Sequence, residues 1–131
     1  MISRTGIHAI RALAVLGTLH EGEYAGASTI ASRIDAPQNY LGKLLRILSR
    51  EGLLISQKGM GGGFRLAKPP GEVSLYEVIE PIDNISAWSG CFFGAHECDA
   101  DNPCVVHDKW GHVRDSYLEF LKNTSIAEIT V

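Results

Sequence analysis

Gln38-Asn39-Tyr40-Leu41-Gly42-Lys43-Leu44-Leu45-Arg46-Ile47-Leu48-Ser49-Arg50, followed closely by Lys58-Gly59-Met60-Gly61-Gly62-Gly63-Phe64-Arg65-Leu66, is the stretch on which the fold turns. Leu41, Leu44, Leu45 and Leu48 recur at i, i+3, i+4 and i+7, which gathers them on one face of a helix. The spacing predicts a helix over Pro37–Glu51. Pro37 suits its first residue, whose N–H has no helical acceptor, and Gly52 suits its stop. Leu53–Gln57 and Phe64–Leu66 read as short strands, joined by glycines able to take positive φ.

Toward the N-terminus, Ile10, Leu13, Ala14 and Leu16 or Gly17 keep helical spacing within Ile7–Leu19. Glu21–Gly26 breaks that pattern, and a short helix follows from about Ser28 to Ile34, with Ile30, Ala31 and Ile34 inward. Three helices and a hairpin, in that order, make a winged helix-turn-helix, whose second motif helix enters the major groove of DNA. Pro69-Pro70-Gly71 closes this unit. Beyond it, the pattern predicts a helix from Ser74 to about Pro81, a loop over roughly Ser89–Pro103, and a long helix from Cys104 to about Asn123. The expected fold is mainly α: a winged helix-turn-helix DNA-binding head over residues 1–70, then a loop and a long C-terminal dimerisation helix over 71–131.

Charge divides at the same place. Residues 1–70 hold nine Lys/Arg against four Asp/Glu, whereas 71–131 hold three against eleven, within an overall charge of −3. A basic half joined to an acidic half suits a polyanion partner on one side only, although chance asymmetry gives the same numbers. Opposite the leucine stripe, Asn39, Lys43, Arg46 and Arg50 share one face, and Gln38, Asn39 and Tyr40 occupy the first turn. Amides there can bond an adenine edge, and cations and hydroxyls can bond phosphate; an ordinary solvated face has the same composition. The glycine-rich turn lacks the Gly-Lys-Ser/Thr ending of a nucleotide-binding loop. It reads instead as a wing tip flanked by Lys58 and Arg65, fit to lie against a phosphate backbone.

All three cysteines fall in one segment, spaced Cys91-x6-Cys98-x5-Cys104-x2-His107. Thiolates and imidazole suit iron–sulfur clusters, zinc or copper(I). On residues alone, a structural zinc site, metal-free redox thiols and inert buried cysteines stay open. Cys104 and His107, three apart on the expected helix, would share a face, and Trp88, Phe92 and Phe93 could shield a cluster from water. Among the other histidines, His96 is the one best placed to compete with His107. In the last helix Val106, Trp110, Val113, Tyr117 and Phe120 or Leu121 form a stripe longer than a small head would cover. It is expected to pair with a second copy around a two-fold axis, the alternative being that it folds back on its own head.

The chain of 131 residues is 45% hydrophobic, enough for a core without disulfide staples. No apolar run approaches the ~18 residues of a membrane span, and Met1-Ile2-Ser3-Arg4 is no leader, so a cytoplasmic protein is expected. No Ser/His/Asp set or paired carboxylates stand in a catalytic context, so no enzyme is expected. A small iron–sulfur electron-transfer protein would leave the basic half and the wing without a role.

Together, the Gln38–Leu45 segment, the Gly59–Leu66 wing and the cysteine trio before a long helix are similar to the Rrf-two family of winged-helix transcriptional regulators (IscR/NsrR-like). The resemblance spans nearly the whole chain. It implies a cytoplasmic homodimer binding a near-palindromic operator, with DNA affinity set by an iron–sulfur cluster that senses redox state, nitric oxide or iron–sulfur status. It also implies Cys91, Cys98 and Cys104 as ligands, with His107 completing a two-iron, two-sulfur cluster in preference to a four-iron, four-sulfur one. The chain departs from the family in three places. Six residues, not five, separate its first two cysteines; Ile7 stands where an acidic fourth ligand occurs in nitric-oxide sensors, with His8 beside it but ~100° away on a helix; Lys58 and Met60 replace a common Arg and Pro.

Overall fold

The computed structural model describes residues 2–89, 92–93 and 105–129. In order, these form α1 (Arg4–Leu16), α2 (Ala27–Ile34), α3 (Gln38–Arg50), β1 (Leu54–Gln57), β2 (Gly63–Leu66), α4 (Leu75–Asp83) and α5 (His107–Asn123). Short 3-10 turns lie at Pro70–Glu72, Ile85–Ser89 and Ile126–Glu128.

Helix α1 starts at Arg4 rather than Ile7 because Ser3 caps it. The Ser3 hydroxyl accepts from the Gly6 N–H at 3.0 Å and donates to Asp83 at 2.6 Å. The helix closes at Leu16, since Leu19 N–H already turns back to the Leu16 carbonyl. Its alanines let neighbours approach on several sides: Ala9, Ala12 and Leu13 are fully buried, and α1 packs against α2 and α4.

The hairpin pairs Leu54 with Leu66, Ile55 with Arg65, Ser56 with Phe64 and Gln57 with Gly63. Ala25, ahead of α2, exchanges both backbone hydrogen bonds with Phe64 at 2.8 and 2.9 Å, adding a one-residue third strand. That pairing accounts for Gly63. Its φ is +134°, and a Cβ there would strike the Ala25 carbonyl, so only glycine lets the two backbones meet.

The core runs across the Pro69-Pro70-Gly71 boundary as one cluster. Leu13, Ile30, Leu41, Leu45 and Leu48 from the N-terminal part join Val78, Ile79, Ile85, Leu121 and Ile126, all below 2% exposed. Past α5 the chain is stitched back: Leu75 N–H bonds the Thr124 carbonyl at 2.9 Å, and Ile126 N–H bonds Val73 at 2.8 Å. The C-terminal end of α5 is therefore seated on its own head, as the fold-back alternative holds for that end.

Candidate nucleic-acid interface and cysteine segment

The periodic leucines orient α3. Leu41, Leu44, Leu45 and Leu48 are at most 3% exposed, so Gln38, Asn39, Lys43, Arg46 and Arg50 are turned to solvent. Pro37 is not the first helical residue as expected. It is the N-cap, extended at φ −62° and ψ 133°, and it supplies no side-chain bond to the first turn. Glu51 is likewise the cap beyond the helix.

Between α3 and the hairpin lies an open groove of about 550 Å³, lined by Arg46, Arg50 and Lys58 with Ser49, Ser56 and Gln57. Three of the cations singled out in the sequence thus converge on one concave track, suited to a phosphate backbone. Among the described residues, no carboxylate lies within ion-pair range of any of the three. Arg65 stands apart. In the register it alternates with Phe64 and Leu66, which face the helices, so it projects from the outer face beside Ile55. There its Nε donates to the Tyr24 hydroxyl at 3.1 Å, and its guanidinium lies 5.4 Å from the Tyr24 ring centre. Sequence reading passed over Tyr24, because only the Ala25–Phe64 bridge brings residue 24 beside residue 65.

Tyr40 also differs from its neighbours in the first turn. It is half-buried, its hydroxyl lies 3.0 Å from Nδ1 of His8 on α1, and the two rings meet edge to face at 5.5 Å. His8 thus has a specific partner on α3.

Cys91, Cys98, Cys104 and His96 lie outside the described residues. Cys104 does not begin the last helix: Val105 and Val106 form a turn, Val106 caps α5, and the helix starts at His107. The expected shared helical face of Cys104 and His107 involves a residue outside the described ones. Two other features bear on the segment. Phe92, next to Cys91, packs edge to face on Trp110 at 5.5 Å, and Phe93 packs on Phe92 at 5.3 Å. Trp110 follows His107 by three residues, so Phe92 reaches the first turn of α5. Among the described residues, no group of three or more His, Cys, Asp or Glu side chains could hold a metal ion.

Helix α5 has two unequal faces. Leu121 is fully buried, whereas Val113 is 62% and Phe120 52% exposed; with Trp110 and Tyr117 they line an apolar groove. Tyr117 stacks against Phe120 at 6.3 Å. Burial, and then the nearby negative charge of Asp83, push the Tyr117 phenol above its ordinary range. With 17 residues, α5 is about 26 Å long.

A three-helix head with a paired wing, and a cationic groove between wing and third helix, defines the class of winged-helix DNA-binding regulators. Within that class the chain belongs to the Rrf2 family, described as iron-dependent transcriptional regulators, whose family model matches residues 2–131. An HTH-type transcriptional regulator of Aquifex aeolicus is 34% identical over 131 residues, covering 98% of this chain and 90% of that protein. The HTH-type transcriptional regulator IscR of Cronobacter sakazakii is 27% identical, covering 98% of this chain and 78% of that protein. Two solved structures share the fold. CymR, the global cysteine regulator of B. subtilis, has a TM-score of 0.80 at 24% identity, covering 96% of this chain and 92% of that one. IscR of T. potens has a TM-score of 0.76 at 23% identity, covering 98% and 84%. The chain is thus a DNA-binding transcriptional regulator, and its relatives are regulators rather than enzymes. Among the described residues no helix is long and apolar enough to cross a membrane.

Proposed function

We propose that this chain is a dimeric cytoplasmic regulator whose operator affinity is set by an iron–sulfur cluster held by Cys91, Cys98, Cys104 and His107. The observation that carries this reading is the Phe92–Trp110 ring contact at 5.5 Å, which sets the residue after Cys91 against the helix that His107 opens. Three thiolates and one imidazole are a fitting donor set, and the family's description as iron-dependent points the same way. A histidine as fourth ligand favours a two-iron, two-sulfur cluster over a four-iron, four-sulfur one. When bound, such a cluster supplies a redox- and nitric-oxide-sensitive link across the segment.

The chain's own residues do the rest. Phe92 lays its ring edge to face against Trp110 on the first turn of α5, and His107 offers an imidazole nitrogen from the same turn. Helix α5 carries a change in that segment toward the head, because Leu121 and Ile126 are seated in the core. Its outer face, with Val113 and Phe120, pairs with a second copy around a two-fold axis and so sets the spacing of two α3 helices on a near-palindromic operator. In each head Gln38, Asn39 and Tyr40 meet bases or nearby phosphates, and Lys43, Arg46, Arg50, Lys58 and Arg65 neutralise the backbone.

Anaerobic purification followed by absorbance, iron and acid-labile sulfide assays tests the reading. A coloured dimer carrying both is expected, and Cys104→Ala should lose both along with the signal response of DNA binding. Equal iron and sulfide in the variant would overturn the ligand assignment. A second reading, with the cysteines as a metal-free thiol switch or a zinc site, draws on the fold shared with CymR, one S. aureus structure of which is an oxidized form (23% identity, TM-score 0.76). A colourless chain that refuses iron and sulfide on reconstitution would select it, with zinc analysis dividing its two forms.

A further inference from the structure

We infer that His8 is a positioning residue for sequence reading, its ring Nδ1 holding the Tyr40 hydroxyl and thereby fixing the first turn of α3 against α1. The inference rests on the reading of α3 as the helix that meets base edges. That helix enters its site with a weak start. Pro37 gives it no side-chain cap, and the Leu41 N–H to Pro37 carbonyl bond is an ordinary helical one. The side chains meant to read bases, Gln38 and Asn39, are exposed on that same uncapped turn. A helix end without a cap frays, and a frayed reading turn spends binding free energy on being ordered.

The His8–Tyr40 contact offsets that weakness from the flank. Tyr40 lies ~100° around the helix from Asn39, so the strut reaches the first turn beside Asn39 without covering it. On the other side, His8 belongs to the most buried helix of the molecule. Its neighbours Ala9 and Ala12 are fully buried, and α1 is tied at its start to Asp83 of α4. The reading turn is thus referenced to the rigid centre of the head. The hydrogen bond at 3.0 Å and the edge-to-face rings at 5.5 Å act on the same pair, one fixing distance and the other orientation. In the tautomer that carries its proton on Nδ1, His8 donates to the phenolic oxygen and leaves the Tyr40 proton for an acceptor on DNA. Tyr40 then serves in both roles, as the anchored end of the strut and as a DNA-contacting hydroxyl.

The test uses the full chain, purified anaerobically, and a duplex that the wild type selects from a random-sequence pool. Affinities for that duplex and for a scrambled one are measured against salt for wild type, His8→Phe, Tyr40→Phe and the double variant, with thermal unfolding alongside. His8→Phe keeps ring packing and deletes the hydrogen bond, while Tyr40→Phe deletes the same bond from the other side. Each is expected to lower the specific-to-scrambled affinity ratio about three- to tenfold, with the salt slope unchanged and the double variant close to Tyr40→Phe alone. A purely structural role would lower the melting temperature and leave the ratio where it was. An unchanged ratio in His8→Phe, or fully additive losses in the double variant, overturns the inference. A wild type that selects no sequence fails the DNA-reading assignment, and the inference with it; a selective wild type with an indifferent His8→Phe fails the inference alone.

Discussion

In α3 every leucine of the apolar stripe is at most 3% exposed, whereas in α5 the stripe leaves Val113 at 62% and Phe120 at 52% and buries Leu121 completely. The two helices look alike as patterns and differ in what their own chain supplies to cover them. Helix α3 is packed by α2, β1 and α4 from one contiguous core, so its stripe measures the fold of a single chain. Helix α5 is claimed by that core only near its C-terminal end, and its outer apolar face extends beyond anything the head provides. A periodic stripe therefore establishes that a face must be covered; it does not say by which molecule.

The sharpest way to break this comparison is to remove one side chain from each stripe. Leu45→Ala in α3 is expected to destabilise the fold by about 2–5 kcal/mol, read by denaturant or thermal unfolding, because the surrounding core cannot close over the lost volume. A loss below ~1 kcal/mol would mean that the stripe is less committed to the core than its burial indicates. Phe120→Asp in α5 should leave monomer stability nearly unchanged and weaken self-association by about 2 kcal/mol, read by sedimentation at several concentrations. An unaltered dimer, or a monomeric wild type, would give the outer face of α5 to some other partner.

A smaller effect sharpens the comparison within the head, between the cations of the groove and Arg65. Arg46→Ala should reduce the slope of log affinity against log salt by about 1, since a phosphate contact made in the open groove is lost. Arg65→Ala should reduce it less, because that guanidinium is already held over Tyr24 on the outer face of the hairpin. Equal slopes for the two variants would place Arg65 on the same phosphate track as Arg46.

Much of the head was legible because its signals are local. Leucine spacing located α3, glycines located the wing, and the charge of residues 1–70 pointed to a polyanion. The misplacements have physical causes of the same kind. Ser3 extends α1 to Arg4 by bonding Asp83, eighty residues away in the chain, which no window of sequence contains. The extended backbone of Pro37 moved it from the first helical position to the cap. His107 rather than Cys104 opens α5, because Val105 and Val106 are spent on a turn. Tyr24, and the contact that His8 makes, are set by tertiary structure for a related reason: each acts on a residue that pairing or packing brings close, Arg65 in one case and Tyr40 in the other.

The order of elements, the buried face of α3 and the wing were set by the sequence alone. Those follow from side-chain type and from spacing against the helical and strand periods. Tertiary structure alone decided that Arg46, Arg50 and Lys58 share a groove while Arg65 does not, that His8 meets Tyr40, and that Leu121 and Ile126 anchor the end of α5 in the head. Each of these depends on which distant backbones pair and how closely helices approach, and those distances are set by packing the whole chain at once.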